Sequence, residues 1–152
     1  MNQVEAELVA KEIIKYIIEQ QPRNYTSSHN VKICEVGFGE ETTNALCNAA
    51  NNSLNKFRIN FFVIDKTEKP VPEYIKFIKT DIINYDYRSV EAIVSLDFHE
   101  KISQFDITKL LINAGGCDVK RVITSPCVEE SLYYKLVKEE VIRGKTLCFY
   151  EL

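Results

Sequence analysis

The stretch that decides the fold is Val31-Lys32-Ile33-Cys34-Glu35-Val36-Gly37-Phe38-Gly39, continued by Glu40-Glu41-Thr42-Thr43-Asn44-Ala45-Leu46. An apolar run with one embedded acid reads as a buried strand. The glycine pair then marks a tight turn, and the polar-to-apolar stretch after it reads as a helix. Two of the chain's five glycines sit here. Without a Cβ, the backbone can turn sharply and a ligand can approach it closely. In an open α/β sheet, the turn after the first strand is where nucleotide-like ligands bind.

Working outward, the chain alternates helix and strand signals. Apolar residues at Val4, Leu8, Val9, Ile13, Ile14, Ile17 and Ile18 predict a helix over Val4–Ile18, ended near Pro22. Val31–Val36 is the first strand and Thr42–Ala50 the helix behind the turn. Phe57–Ile64 is the second strand, ending at Asp65, and Tyr74–Lys79 a short third. Val90–Leu96 is the fourth, followed by Asp97-Phe98-His99-Glu100. A helix over Ile107–Ala114 is expected to stop at Gly115-Gly116, and a fifth strand over Val119–Thr124 to stop at Ser125-Pro126. Glu129–Ile142 fits either a helix or a strand over Leu132–Val137 that forms a hairpin with Thr146–Glu151; periodicity leaves both open. This order predicts one α/β, Rossmann-like domain over residues 1–152: a mostly parallel sheet flanked by helices, with an N-terminal helix.

Composition narrows the function. With 152 residues, 45% hydrophobic and 27% charged, the chain can bury a single core. A net charge of −3 gives no strong nucleic-acid signal, since such binding needs a basic surface. No apolar run has membrane-spanning length, and Glu5, Glu7 and Glu12 do not suit a leader; a cytoplasmic protein is expected. Cysteines at 34, 47, 117, 127 and 148 lack Cys-x-x-Cys spacing and are odd in number. They read as free or buried thiols, with neither a disulfide frame nor a metal site. Tyr133-Tyr134 and Phe149-Tyr150 read as core packing, or as contacts to a partner protein or a second copy.

Three acids fall at the ends of consecutive strands: Glu35 before the glycine turn, Asp65 after the second strand and Asp81 after the third. Parallel strands bring all three to one edge. There Asp65 can accept hydrogen bonds from both ribose hydroxyls, Asp81 can reach an adenine amino group, and Glu35 can hold an amine through water or brace the loop. A dinucleotide of the NAD type is a competing ligand. Its Gly-x-Gly-x-x-Gly fingerprint places phosphates on the helix N-terminus. Here Thr42 replaces the third glycine, and Glu40 and Glu41 would repel the pyrophosphate. S-adenosylmethionine carries a sulfonium, an ammonium and no phosphate, so the same carboxylates tolerate it.

Glu35-Val36-Gly37-Phe38-Gly39, Asp65 and Asp81 resemble the first three motifs of the class I S-adenosylmethionine-dependent methyltransferases. More closely, the chain is similar to an uncharacterised archaeal family of short methyltransferase-like Rossmann domains. That similarity runs through Val63-Ile64-Asp65, Asp81-Ile82, Ile93-Val94-Ser95-Leu96, Val122-Ile123-Thr124-Ser125-Pro126 and Gly144-Lys145-Thr146-Leu147-Cys148-Phe149-Tyr150-Glu151. The resemblance implies an S-adenosylmethionine pocket with Glu35, Gly37 and Gly39 at the methionine side, Asp65 at the ribose, and Asp81 and Ile82 at the adenine. Ser95 and Phe98 would line a substrate pocket. Asp97 and His99 would be the catalytic candidates if the methyl acceptor needs deprotonation, with Phe98 able to stack on a planar substrate. One departure stands out: after the fourth strand that family carries Arg-Pro-Pro following Ser-x, where this chain has Asp97-Phe98-His99. The function expected is therefore an S-adenosylmethionine-binding protein, as a small methyltransferase of undefined acceptor. The alternative is a degenerate, non-enzymatic methyltransferase-like domain acting as partner or scaffold, which the shortness of the chain favours.

Overall fold

The computed structural model describes residues 1–152. Its sheet is built around the strand quoted above. β1 (Asn30–Val36) pairs in parallel with β2 (Arg58–Asp65) on one side and β4 (Val90–Leu96) on the other. β3 (Lys76–Lys79) extends the sheet beyond β2, and β5 (Arg121–Ser125) beyond β4. β7 (Lys145–Glu151) and β6 (Lys135–Ile142) complete it, giving the order β3-β2-β1-β4-β5-β7-β6. The first five strands run parallel; β7 is antiparallel to both its neighbours. Chain direction across the sheet reverses between β1 and β4, and the crevice at their carboxyl ends is where ligands bind in such sheets.

The two faces are covered unequally. α1 (Gln3–Glu19) and α2 (Glu40–Asn52) pack on one face, over a cluster that includes Val31, Ile33, Ala92, Val94 and Phe149. α1 starts in a capping box: Glu5 N–H donates to Asn2 Oδ1, and Asn2 N–H to Glu5 Oε1. Its buried stripe is Ala6, Val9, Ala10, Ile13, Ile14 and Ile17. Val4 and Leu8, expected on that stripe, stand out in solvent because the close approach of α1 to the sheet and α2 selects the two alanines instead.

α3 (Gln104–Gly116) covers the other face, over Cys34, Val36, Ile93, Val122 and Tyr150. No helix links β2 to β3 or β3 to β4. Residues 80–89 instead form a packed loop, with Tyr87 fully buried and its hydroxyl donating to the Ile82 carbonyl. Asn113 of α3 donates to the carbonyls of Ile83 and Tyr85, both at 2.8 Å, which satisfies backbone that a helix would have satisfied itself.

Several sequence expectations shift. α2 begins two residues earlier than expected, at Glu40. α3 begins at Gln104 and runs through the glycine pair, since Gly115 is a packing residue: a Cβ there would meet Tyr133 Cγ at 2.3 Å. The open choice over Glu129–Ile142 falls to the hairpin, with its first strand at Lys135–Ile142. Arg143 and Gly144 turn it with φ of 47° and 80°, the positive pair that two-residue hairpins favour. Tyr134, Phe149 and Tyr150 are core residues, and Tyr133 is 40% exposed. The cysteines divide in two. Cys34, Cys47 and Cys117 are free thiols, whereas Cys127 and Cys148 are paired as a disulfide with Cα atoms 5.3 Å apart. Sequence spacing missed that pair because antiparallel pairing of β5 with β7, Thr124 opposite Cys148, is what brings the two together. No helix is long and apolar enough to cross a membrane.

Candidate functional site

The switch point gathers several of the residues singled out in the sequence. Glu35 is fully buried at the end of β1. Its Oε1 accepts from the Thr43 hydroxyl, which in turn accepts from Gly39 N–H at 3.1 Å. Its Oε2 is buried with no hydrogen-bond partner. An unpartnered carboxylate oxygen is costly in a protein interior. Burial pushes the Glu35 carboxyl up to about 7, against the opposing pull of the Lys101 charge and the Thr43 hydroxyl. Near neutral pH this carboxylate is thus poised between acid and base, with one acceptor site free.

The turn itself takes the shape the glycines permit. Gly37 has φ of +86°, and its N–H donates to the Ile64 carbonyl at 2.9 Å. Gly39 is the extended N-cap of α2, with Glu40 and Glu41 exposed in the helix's first turn. Those two carboxylates complement the helix dipole and leave no anion site there. Asp65 closes the turn from the side: its Oδ2 accepts from Phe38 N–H at 2.9 Å, and its Oδ1 from Thr67 N–H at 3.1 Å. The acid expected to meet a ribose also locks the glycine turn to the end of β2.

Lys101 is the residue that sequence reasoning missed. It follows the short 3₁₀ turn Phe98–Glu100 and lays its side chain across both glycines. A Cβ on Gly37 would stand 2.9 Å from Lys101 Cδ, and one on Gly39 2.9 Å from Lys101 Nζ. The ammonium donates to the Gly37 carbonyl at 3.3 Å. The glycines thus make a cradle, and a lysine from beyond β4 lies in it. No spacing rule flags that lysine; it reads in sequence as one more charge in a polar run.

β4 supplies the opposite wall. Ser95 is buried and donates to the Val36 carbonyl at 2.9 Å, tying β4 to the end of β1. Asp97 follows in the left-handed region (φ 53°, ψ 38°), an uncommon place for a residue with a Cβ. Its Oδ2 lies 2.6 Å from the Met1 α-ammonium. Phe98 is buried in the core cluster under α3. His99 is exposed, with Nε2 3.9 Å from the exposed carboxylate of Glu100.

Asp81 and Ile82 stand at the rim. Asp81 lies two residues past Lys79, the register partner of Asp65, so it shares the carboxyl edge. It is exposed, and hydrogen bonds from Asn84 and the Ile83 N–H hold its carboxyl below the usual range. Ile82 is buried beneath it. Glu35, Gly37, Gly39, Asp65 and Lys101 therefore converge, Asp97 after β4 and Asp81 after β3 extend the same edge, His99 stands in solvent, and Ser95 and Phe98 act from within the packing. A surface cavity of about 510 Å³ lies elsewhere, between α1 and α2 beside Lys11, Ile14 and Ala45.

No protein-family model and no curated protein matches this sequence. Solved structures do share its fold. Magnesium protoporphyrin IX methyltransferase from Synechocystis, solved with bound S-adenosylmethionine, superposes with a TM-score of 0.65 at 11% identity, over 97% of this chain and 80% of that one. An RNA methyltransferase from Salinibacter ruber, in complex with S-adenosylhomocysteine, gives 0.58 at 11% identity over 93% and 90%. A methyltransferase-like protein of Escherichia coli, yhhF, gives 0.56 at 9% identity over 99% and 86%. At such identities the likeness establishes the fold: this is the α/β architecture of class I methyltransferases.

Proposed function

We propose that this chain binds S-adenosylmethionine at the carboxyl ends of β1, β2 and β4 and acts as a small methyltransferase. The observation that carries the reading is Glu35 Oε2, a buried carboxylate oxygen without a partner beside a glycine cradle at the switch point. Structures of this fold solved with S-adenosylmethionine or its demethylated product, S-adenosylhomocysteine, support the same ligand class here.

In this reading the Glu35 carboxylate meets the ammonium of the ligand's methionine part. Asp65 accepts from the ribose hydroxyls while keeping the Phe38 N–H, and Asp81 with Ile82 borders the adenine. The bound ligand supplies a methyl group on a sulfonium, which a nucleophile attacks in line. The protein's part is alignment, together with exclusion of water. Ser95 fixes the wall by holding β4 to β1. Asp97 or His99 takes the acceptor's proton when the acceptor carries one. The Lys101 side chain must leave the cradle, and its departure removes a cation from the neighbourhood of a cationic ligand.

The test is calorimetry with S-adenosylmethionine and S-adenosylhomocysteine on the full chain. Binding that Asp65→Ala and Glu35→Gln each weaken at least tenfold is expected; no binding by the folded wild type at millimolar ligand overturns the proposal. A second reading, a non-enzymatic methyltransferase-like domain acting through a protein partner, has its own support. Lys101 fills the cradle. Co-purification of a stable partner without bound nucleoside favours that reading.

A further inference from the structure

A second cluster of chemically capable side chains lies across the β5–β7–β6 side of the sheet. Cys148 on β7 stands opposite Thr124 on β5 and opposite Glu139 on β6, so the three share one face. Cys127, just beyond the end of β5, is placed over Cys148. The ligand atoms of Cys127, Glu139 and Cys148 all lie within 4.8 Å of one another. Glu139 Oε1 is 3.3 Å from Cys127 Sγ and 3.9 Å from Cys148 Sγ.

The carboxylate is the informative member. Glu139 belongs to an exposed stretch of β6, yet it turns one oxygen onto two sulfurs. A disulfide has no hydrogen to donate, so in the oxidised pair neither sulfur is a hydrogen-bond partner for that oxygen. Once the pair is reduced to thiolates, a cation between the three atoms removes the conflict. Zinc bonded tetrahedrally at about 2.3 Å to sulfur and about 2.1 Å to oxygen separates S from O by about 3.6 Å. The two observed separations bracket that value.

We propose that the reduced form of this cluster is a mononuclear zinc site with Cys127 and Cys148 as thiolate ligands and Glu139 as the carboxylate ligand. Two thiolates select a soft or borderline cation such as Zn²⁺ over Mg²⁺ or Ca²⁺, and three protein ligands leave one position for water or a further group. The disulfide and the metal exclude each other. A dithiol that exchanges with the Cys127–Cys148 bond becomes a disulfide itself and leaves two protein thiols, a two-electron exchange. Zn²⁺ then displaces two protons as both Zn–S bonds form. The metal would fasten the loop after β5 to the terminal hairpin, as the disulfide does in the oxidised protein.

The experiment uses the full chain, reduced with a phosphine under anaerobic conditions and stripped of metal. It is titrated with Zn²⁺ in competition with a chromophoric chelator, and in parallel with Co²⁺. One Zn²⁺ per reduced chain is expected, with thiolate-to-cobalt charge-transfer absorption in the Co²⁺ form. Cys127→Ser and Glu139→Gln should each weaken Zn²⁺ at least about tenfold. Cys117→Ser should leave affinity unchanged, and the oxidised chain should take up none. If the reduced wild type takes up no Zn²⁺, if the Co²⁺ form lacks charge-transfer absorption, or if Glu139→Gln binds as wild type does, the proposal is overturned. Glu139→Gln alters an exposed strand residue, so it keeps the test valid should Cys127→Ser fail to fold; far-ultraviolet circular dichroism reports folding of each variant.

Discussion

Lys101 Nζ donates to the Gly37 carbonyl at 3.3 Å, and the lysine's methylenes lie where a Cβ on Gly37 would stand. A residue from beyond β4 therefore occupies the glycine turn after β1. The consequence can be tested by removing the side chain. Giving up one hydrogen bond of this kind costs about 1 kcal/mol. Lys101→Ala should therefore bind S-adenosylhomocysteine about fivefold more tightly than wild type does. The gain for S-adenosylmethionine should be larger, because the lost cation also repelled the sulfonium. Calorimetry on both ligands decides it; weaker binding of both by Lys101→Ala would show that the lysine is part of the pocket instead.

Glu35 sets a pH dependence. Its folded carboxyl is pushed up to about 7 by burial, above the ordinary glutamate value near 4.3. The folded state holds that proton where the unfolded chain has lost it. This contribution is therefore full below about pH 4.3, declines as pH rises to about 7, and is flat above. Its size is roughly 4 kcal/mol by the linkage relation. Urea unfolding at pH 5 and pH 8 should show the decline in wild type and little of it in Glu35→Gln. Ligand affinity should run the other way, rising with pH through about 7 as the carboxylate forms.

Gly37 and Gly144 share a positive φ, 86° and 80°, but differ in surroundings. A Cβ at Gly144 meets nothing within 4 Å, whereas one at Gly37 meets Lys101 Cδ at 2.9 Å. The lysine is flexible and can yield, so backbone strain of about 1–2 kcal/mol is the shared cost of alanine at either position. Denaturant melts should place the two variants within about 1 kcal/mol of each other. Loss of ligand binding should belong to Gly37→Ala alone.

Tyr150 holds the loop after β5. Its hydroxyl donates to the Val128 carbonyl at 2.7 Å and accepts from Val128 N–H at 2.9 Å. Tyr150→Phe leaves both backbone groups unpaired in the core, a loss of about 1–3 kcal/mol. For a chain of this size the melting temperature should fall by roughly 2–4 °C per kcal/mol. A variant as stable as wild type would mean that water enters and takes the hydroxyl's place.

Much of the architecture was legible because it follows local rules. Apolar runs of strand length, the turn at Gly37-Phe38-Gly39 and the alternation of elements predict a parallel sheet, and the strands at Asn30–Val36, Arg58–Asp65 and Val90–Leu96 lie within one residue of expectation. The stripe on α1 was less well placed, since Val4 and Leu8 are as apolar as their neighbours and only the helix's rotation against the sheet excludes them. Gly115 and Gly116 read as a helix stop, yet Gly115 stays helical because Tyr133 needs the space.

The sequence by itself determined the strand–turn–helix at Glu35–Gly39 and the placing of Asp65 and Asp81 at strand ends. Those features depend on residues close together in the chain, where spacing and conformational preference act directly. The tertiary structure decided which groups meet there. It laid Lys101 across the glycines, left one oxygen of buried Glu35 without a partner, and fastened Asp65 to the Phe38 N–H. It also chose the terminal hairpin, and with it the meeting of Cys127, Glu139 and Cys148. Such contacts join residues far apart in sequence. They are fixed by strand order and by packing against a shared core, and neither quantity is written in any short stretch of the chain.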